Sequence, residues 1–447
     1  MRRELVNAKR ISGCLQVPGD KSIAHRAALM SMLAREPITI RNFPDAADCR
    51  VSLSVAEQFG VRVDLRGGDL VLTPPIRPHV QPDTIIDCGN SGTTARLLAG
   101  IAAGSELSVI LSGDESLSLR PMTRIVDPLT AMGAELFDTD GHMPLRIRGG
   151  NLPPFEYRLP VASAQVKSAL LLAAVAAGCP VTIREETTTR DHTEIMLREL
   201  GAAITVRDVK PVLVEDSRDS RKRRMSMPED FRREITLASG TAIKGGLIDI
   251  PGDISTASYL FAAAAISGGS VTVENLGLNL TRTAFLDHLR QIGCSVEIRD
   301  KHTVSGELRG SATVTGGELK ARRIAGETVA SMIDEIPVLA VIAAYTPGTT
   351  LIRDASELKV KESDRLQAIA DNLNAMDVKC GLLEDGLAIE GREEINGADL
   401  KSYGDHRIVM AFSIAALFAV GPSAIDDDTS VSVSCPNFFE LINQITQ

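Results

Sequence analysis

The chain has 447 residues, 44% of them hydrophobic and 24% charged, with a formal net charge of -10 and a mean hydropathy of +0.06. At about 100 to 200 residues per domain this describes two or three globular domains and not a disordered chain, and no apolar run reaches the roughly 18 residues of a membrane helix. Scarce aromatics (3%, no Trp) and the acidic balance argue against a base-stacking nucleic-acid binder, although a local cluster of Arg and Lys can still hold a small anion.

The predicted elements repeat. Six times a polar start leads into an Ala/Leu-rich stretch of helical length and then a Gly or Pro turn. In chain order these stretches are 24–34, 94–103, 166–177, 257–266, 337–345 and 409–419, and the first five precede β-prone runs at 37–40, 107–110, 181–183, 271–273 and 350–352. Further helices end in Gly60, Gly133, Gly201 and Gly293, where Gly suits the left-handed position after a helix; Asp377 takes that place in the fifth unit. Each unit reads as helix, strand, helix, strand, strand. Val17-Pro18-Gly19-Asp20 is echoed by Ile250-Pro251-Gly252-Asp253, so the second half restarts the first, with three units in each, and the strand before Pro18 can pair with either half. The Arg- and Lys-rich segment 217–234 reads as a solvated hairpin or loop in preference to an anion patch. Seven scattered Cys without a C-x-x-C pair imply reduced thiols and no zinc, and an N-terminus without an apolar h-region implies a cytoplasmic chain.

Chemistry-bearing residues collect at the helix starts. Pro18-Gly19-Asp20-Lys21-Ser22-Ile23-Ala24-His25-Arg26 offers a turn, a capping carboxylate or hydroxyl, and two cations beside free helix N–H groups, which suits an anion or an ordinary capped helix. Asp87-Cys88-Gly89-Asn90-Ser91-Gly92-Thr93-Thr94-Ala95-Arg96 repeats this with small residues that permit close backbone approach, and Ser163-Ala164-Gln165 adds uncharged donors. Arg190-Asp191-His192-Thr193-Glu194 reads as surface ion pairing, because no second His stands at metal-binding spacing. Asp334-Glu335-Ile336-Pro337 puts carboxylates before an apolar helix, and Lys361-Glu362-Ser363-Asp364-Arg365 taken alone passes for an exposed helix face. Arg407, in Asp405-His406-Arg407, is a cation at a helix start, which points to a bound anion. The recurrence favours a shared site for a substrate with several negative charges.

These motifs, with Leu119-Arg120-Pro121-Met122, resemble in identity and order those of the 5-enolpyruvylshikimate-3-phosphate synthases, the 3-phosphoshikimate 1-carboxyvinyltransferases, over essentially the whole chain. The resemblance implies an α/β fold, a two-domain inside-out α/β barrel with three βαβαββ units per domain, joined by crossover strands and closing on substrate in the interdomain cleft. The domains would be 1–20 plus 249–447, and 21–248. It implies transfer of the enolpyruvyl group of phosphoenolpyruvate to the 5-hydroxyl of shikimate 3-phosphate with release of phosphate. No cofactor, metal, nucleic acid or membrane is implied, and the chain would be a monomer. By motif, Lys21, Ser22, Arg26, Ser163, Gln165, Arg190 (or its neighbour Thr189), Asp334 and Lys361 would bind shikimate 3-phosphate. Lys21, Gly92, Arg120, Gln165, Arg365 and Arg407 would bind phosphoenolpyruvate. Asp334 would be the base for the 5-hydroxyl, Glu362 would handle the proton at the methylene carbon, and Lys21 would assist.

Ala164 where enterobacterial members have Ser, and Val431-Ser432-Val433-Ser434-Cys435 without a Lys, look like the bacterial subgroup called class II. The sister transferase acting on UDP-N-acetylglucosamine shares the fold but places a Cys on the loop of the second unit, and residues 114–122 contain none. A non-catalytic scaffold would not need Asp334 and Glu362 beside anion-binding arginines. The resemblance also places the inhibitor glyphosate in the phosphoenolpyruvate pocket, where bulk at Gly92 would exclude it first.

Overall fold

The computed structural model describes every residue except Met1, Val6, Lys9, Pro211, Ser217, Arg218, Met227, Pro228 and Gln447, and describes 212–216 and 219–226 by their backbone alone. The chain divides into two compact units: Met1–Ala24, Arg41–Arg50 and Asp249–Gln447 form one, here the C-terminal unit, and His25–Ile40 with Val51–Ile248 form the N-terminal unit.

One sheet shows how each repeat is built. Thr84–Asp87 runs parallel to Ser108–Ser112, the Gly92–Ala103 helix lies between them in sequence, and Thr123–Ala131 leads on to Glu135–Thr139. The last strand, His142–Arg148, then inserts antiparallel between the second and third, giving a βαβαββ unit. Phe155–Arg158, Val181–Glu185, Arg233–Leu237 and Ile204–Asp208 repeat this order around the Ala164–Ala177 and His192–Glu199 helices. In the first repeat the opening strand is Gly246–Asp249, which lies beside Ile38–Arg41.

The C-terminal unit borrows a strand in the same way. Ser12–Gln16 runs parallel to Ser270–Gly277, so the strand before Pro18 belongs with the second half. Gly348–Ile352 anchors the fifth repeat. The sixth departs from the pattern: Ser423–Ile425 lies between Arg3–Leu5, its antiparallel partner, and Asp399–Leu400, its parallel partner, and the Phe438–Ile445 helix follows instead of a hairpin.

The helices explain where the cores sit. Ile254–Ser267, Ile336–Ala344 and His406–Leu417 are buried almost all round, as are Gly92–Ala103 and Ala164–Ala177, which is what Ala/Leu-rich helices without a polar face require. Strands such as Ser108–Ser112 and Val181–Glu185 alternate buried and half-exposed residues, the pattern of a sheet with one face on the core and the other towards solvent. Gly100 and Gly104 let two of these helices touch, since a Cβ at either would overlap the carbonyl of Ala169 or Ala173. Gly60, Gly133, Gly201, Gly293 and Asp377 all have positive φ, as the helix ends demand.

In the 217–234 segment the backbones of Val212–Asp216 and Asp219–Ser226 pair antiparallel as a hairpin. The side chains of 221–224, with Ser217, Arg218, Met227 and Pro228, lie outside the described residues. Arg233 is bound by Asp208 at 2.6 Å and Asp191 at 3.1 Å. Every cysteine is free, and among the described residues no helix is long and apolar enough to cross a membrane.

Candidate active site

Helix starts place the groups, and they are capped by their own side chains. Asp20 accepts from Ile23 N (3.1 Å), Ser91 from Thr94 N (3.2 Å) and Ser163 from Val166 N (3.4 Å). Asp253 accepts from Ser255 N (3.0 Å) and Asp405 from Arg407 N (2.8 Å). The hydroxyls and carboxylates that recur in the sequence therefore act as helix caps.

In the N-terminal unit the cluster is dominated by guanidinium and hydroxyl groups. Arg120 donates to Asn90 Oδ1 at 2.6 Å and to Ser116 Oγ at 3.0 Å, while Asn90 donates to Asp114, the cap of the Glu115–Ser118 turn. These bonds fix the loop before Gly92 against the loop carrying Arg120. Arg96, one turn into the Gly92 helix, donates to Gln165 Oε1 at 3.1 Å, and Gln165 donates to Thr93 at 3.2 Å. A Cβ on Gly92 would stand 2.7 Å from Arg96 Nη1 and 3.4 Å from Arg120 Nη1, so Gly92, Arg120 and Gln165 share one neighbourhood. Arg26 donates through Nε to Thr193 Oγ1 (2.8 Å) and through Nη2 to Ser168 Oγ (3.0 Å). Thr94 gives its hydroxyl proton to Ser91 (2.7 Å), so Ser52 donates to Thr94 (2.6 Å) and His25 Nδ1 donates to Ser52 (2.8 Å). That relay ties the Lys21–Met30 helix to the start of the Gly92 helix.

The surface ion pairing expected of 190–194 gives way to a largely buried cluster. His192, Thr193 and Glu194 are buried, and Glu194 meets Lys167 Nζ at 2.6 Å in a slot both share with Glu185, 3.0 Å from the same nitrogen. Burial works against the Lys167 charge, but the two carboxylates outweigh it and hold the ammonium above its ordinary range. Thr189 is buried and Arg190 half-buried at the edge of this group.

In the C-terminal unit cations and carboxylates alternate. Arg365, 1% exposed, donates to Asp405 at 2.7 and 3.2 Å and to Glu362, and stands 3.8 Å from Asp334. The densely charged 359–365 segment is exposed only in part: Lys359, Val360 and Asp364 face solvent, Asp364 caps the Arg365–Ala375 helix, and Arg365 is buried. Arg407 donates to the Asp334 carbonyl at 2.8 Å and lies 3.7 Å from its carboxylate. Glu335, beside Asp334, accepts from Ser255 and is 3.5 Å from Arg282, whose other end is 3.4 Å from Asp20.

Lys21 is half-buried 3.2 Å from Asp48; burial works against its charge, but Asp48 leads the groups that push its pKa upward overall. Lys361 differs: burial dominates and its pKa is lowered, although Asp334, Glu357 and Glu362 act in the other direction. Ser22 is half-buried beside Lys21. Six residues singled out by sequence (Lys21, Asp334, Lys361, Glu362, Arg365, Arg407) thus act electrostatically on one another within this unit. In the final segment Cys435 occupies the neighbourhood of Lys21 and Asp253, and burial pushes its thiol up to about 12.

The sequence gives Asp48, Lys167, Glu185 and Arg282 no signal beyond their charge, clearest for Lys167 inside the apolar stretch 166–177. No group of three or more His, Cys, Asp or Glu stands ready to hold a metal ion among the described residues.

Six repeats of buried helices under outward sheets, with a guanidinium-rich cluster in one unit and a mixed acid-base cluster in the other, define an α/β enzyme for small polyanions. The EPSP synthase (3-phosphoshikimate 1-carboxyvinyltransferase) family matches residues 6–250 and 232–442, and the chain belongs to it. The 3-phosphoshikimate 1-carboxyvinyltransferase of Anaeromyxobacter sp. is 41% identical over 98% of this chain and 94% of its own length. That of Brevibacillus brevis is 40% identical over 98% and 99%. The EPSP synthase structure from Acinetobacter baumannii is similar across 100% of this chain and 98% of its own, with a TM-score of 0.80 and 34% identity. The fold is that of the enolpyruvyl transferases.

Proposed function

We infer that the chain transfers the enolpyruvyl group of phosphoenolpyruvate to the 5-hydroxyl of shikimate 3-phosphate, releasing phosphate, in the shikimate route to chorismate and the aromatic amino acids. Family membership over nearly the full length carries this reading. The chemistry of the two clusters supports it, since both substrates are polyanions and the reaction requires paired acid and base groups.

We assign the residues as follows. Arg26, Ser163, Gln165 and Arg190 take the phosphate and hydroxyls of shikimate 3-phosphate, joined by Ser22 and Lys361. Arg120, Arg365 and Arg407, with Lys21, Gln165 and the backbone at Gly92, take phosphoenolpyruvate; guanidinium forks suit its carboxylate and its phosphate alike. Asp334 removes the proton of the 5-hydroxyl, and Glu362 delivers a proton to the methylene carbon of phosphoenolpyruvate. The hydroxyl oxygen then bonds to C2, giving a tetrahedral intermediate. In the second half the methyl group returns its proton, the C2–O bond to phosphate breaks, and phosphate leaves with the electron pair. Lys21 stabilises the negative charge gathering on the departing oxygen. Arg365 and Arg407 already hold Glu362 and Asp334, so the groups that bind phosphoenolpyruvate also orient the acid and the base. The two substrates must be bound together for the transfer, so we propose that their bindings are thermodynamically linked.

A phosphate-release assay with each acceptor tests the function. Release from phosphoenolpyruvate is expected with shikimate 3-phosphate and not with UDP-N-acetylglucosamine; release with the sugar nucleotide alone overturns the assignment.

A further inference from the structure

Lys167, Glu185 and Glu194 form a charge triad with at most 1% of any side chain exposed, and the chemistry above does not use it. Burying three charges is costly, and apolar replacements of such groups are often neutral or stabilising, so stability alone gives a poor account of the triad. Its position gives a better one. Lys167 precedes Ser168, and Glu194 follows Thr193. Those two hydroxyls accept the Arg26 guanidinium at 3.0 and 2.8 Å and lie 2.6 Å from each other. Ser168 gives its own proton to the Ala164 carbonyl at 2.7 Å, so Thr193 donates to Ser168 and both oxygens keep lone pairs for Arg26. The ion pair therefore runs beside the hydroxyl pair, one residue along each helix. It sets the spacing of the Ala164–Ala177 and His192–Glu199 helices at the level where they hold Arg26. The third member extends the strut: Glu185, at the end of its strand, binds Lys167 and accepts from Thr189, next to Arg190.

We propose that Lys167, with Glu185 and Glu194, is the positioning element of the shikimate 3-phosphate half-site, aligning Arg26, Ser163 and the Thr189-Arg190 segment on one ligand phosphate. The proposal rests on the substrate reading given above. The triad contacts no substrate and moves no proton in the reaction. Its contribution is to the affinity for the phosphorylated acceptor, because a rigid set of donors binds a phosphate without first having to be ordered.

The test uses the full chain as wild type, Arg26→Met, the triple variant Lys167→Met/Glu185→Gln/Glu194→Gln, and the triple variant combined with Arg26→Met. Calorimetry gives the Kd of shikimate 3-phosphate, and steady-state kinetics separates KM from kcat. The triple variant should keep its melting midpoint yet bind shikimate 3-phosphate about tenfold or more weakly, the scale on which misplacing aligned groups acts. With both substrates saturating, kcat should stay within about threefold and KM for phosphoenolpyruvate should hold, a split that general loosening would not produce. In the Arg26→Met background the triple change should add little, because its target is gone. Weakened binding in Arg26→Met with unchanged binding in the triple variant overturns the positioning role alone. Unchanged binding in Arg26→Met overturns the substrate assignment of this half-site and the proposal with it. Should the triple variant not fold, the isosteric Glu194→Gln takes its place in the same comparison, and unchanged binding there overturns the positioning role.

Discussion

Replacing Gly92 by Ala adds one methyl group at a point where the structure says what it meets. The new Cβ would lie 2.7 Å from Arg96 Nη1, whereas 3.4 Å to Arg120 Nη1 is already ordinary contact. Arg96 must therefore retreat by about 0.7 Å, the difference between those two distances, while Arg120 can stay. A guanidinium tip swings easily, so overpacking is a small part of the cost; the larger part is the 3.1 Å bond to Gln165, which a shift of that size breaks or bends. A hydrogen bond to a charged group is worth about 1.5 to 3 kcal/mol, and the flexible tip puts this case at the lower end, near a tenfold effect. At saturating shikimate 3-phosphate, kcat/KM for phosphoenolpyruvate should fall about tenfold in Gly92→Ala but change less than about twofold when Arg96→Met is already present. Glyphosate, the larger anion, should lose more affinity than phosphoenolpyruvate. A tenfold fall in both backgrounds would refute the reasoning, because the methyl group would then act on the ligand without Arg96.

Asp334→Asn should lower turnover by about 10² to 10⁴ while calorimetry still shows shikimate 3-phosphate bound, and near-normal turnover would remove Asp334 as the base. Asp405→Asn leaves the buried Arg365 guanidinium without its main carboxylate, so denaturant unfolding should show a loss of about 3 kcal/mol, and one below about 1 kcal/mol would contradict the pairing. Burial, helped by Arg322, lowers the His288 imidazole from 6.5 to about 4, so between those values the unfolded chain binds a proton that the folded chain refuses. The stability it contributes is complete above about pH 6.5 and is lost as the pH falls towards 4, by about 3 kcal/mol in all. His288→Leu should flatten that part of the stability-pH curve, and an unchanged slope would show that His288 does not set it. Calorimetric affinity for phosphoenolpyruvate should rise when shikimate 3-phosphate is saturating; equal affinities would show that the two substrates bind independently.

Periodicity found the six buried helices because Ala- and Leu-rich runs without a polar face leave few alternatives, and Ser91, Ser163, Asp253 and Asp405 mark their starts as caps. The borrowed strands were out of its reach. Ser12–Gln16 pairs with Ser270–Gly277 across more than half the chain, and nothing local to either strand encodes that partner. The sixth repeat was blurred because its strands span two or three residues, too short for alternation to register. The members of the C-terminal charge cluster showed through where they sit in Gly-rich or charged turns, as Lys21, Arg365 and Arg407 do. Charge density in sequence does not tell a solvated cluster from a buried one, so the burial of Glu194 is not legible there; the contact with Lys167, on a different helix, decides it.

The central claim is the transfer itself, and NMR in D₂O follows both of its ends. The purified chain with phosphoenolpyruvate and shikimate 3-phosphate should release one inorganic phosphate for each acceptor consumed, with the phosphorus of the acceptor retained in the product. Deuterium should enter the vinyl group of that product, because a proton from the protein reaches the methylene carbon before elimination restores the double bond. Phosphate released without consumption of the acceptor, or a product vinyl group free of deuterium, would contradict the account.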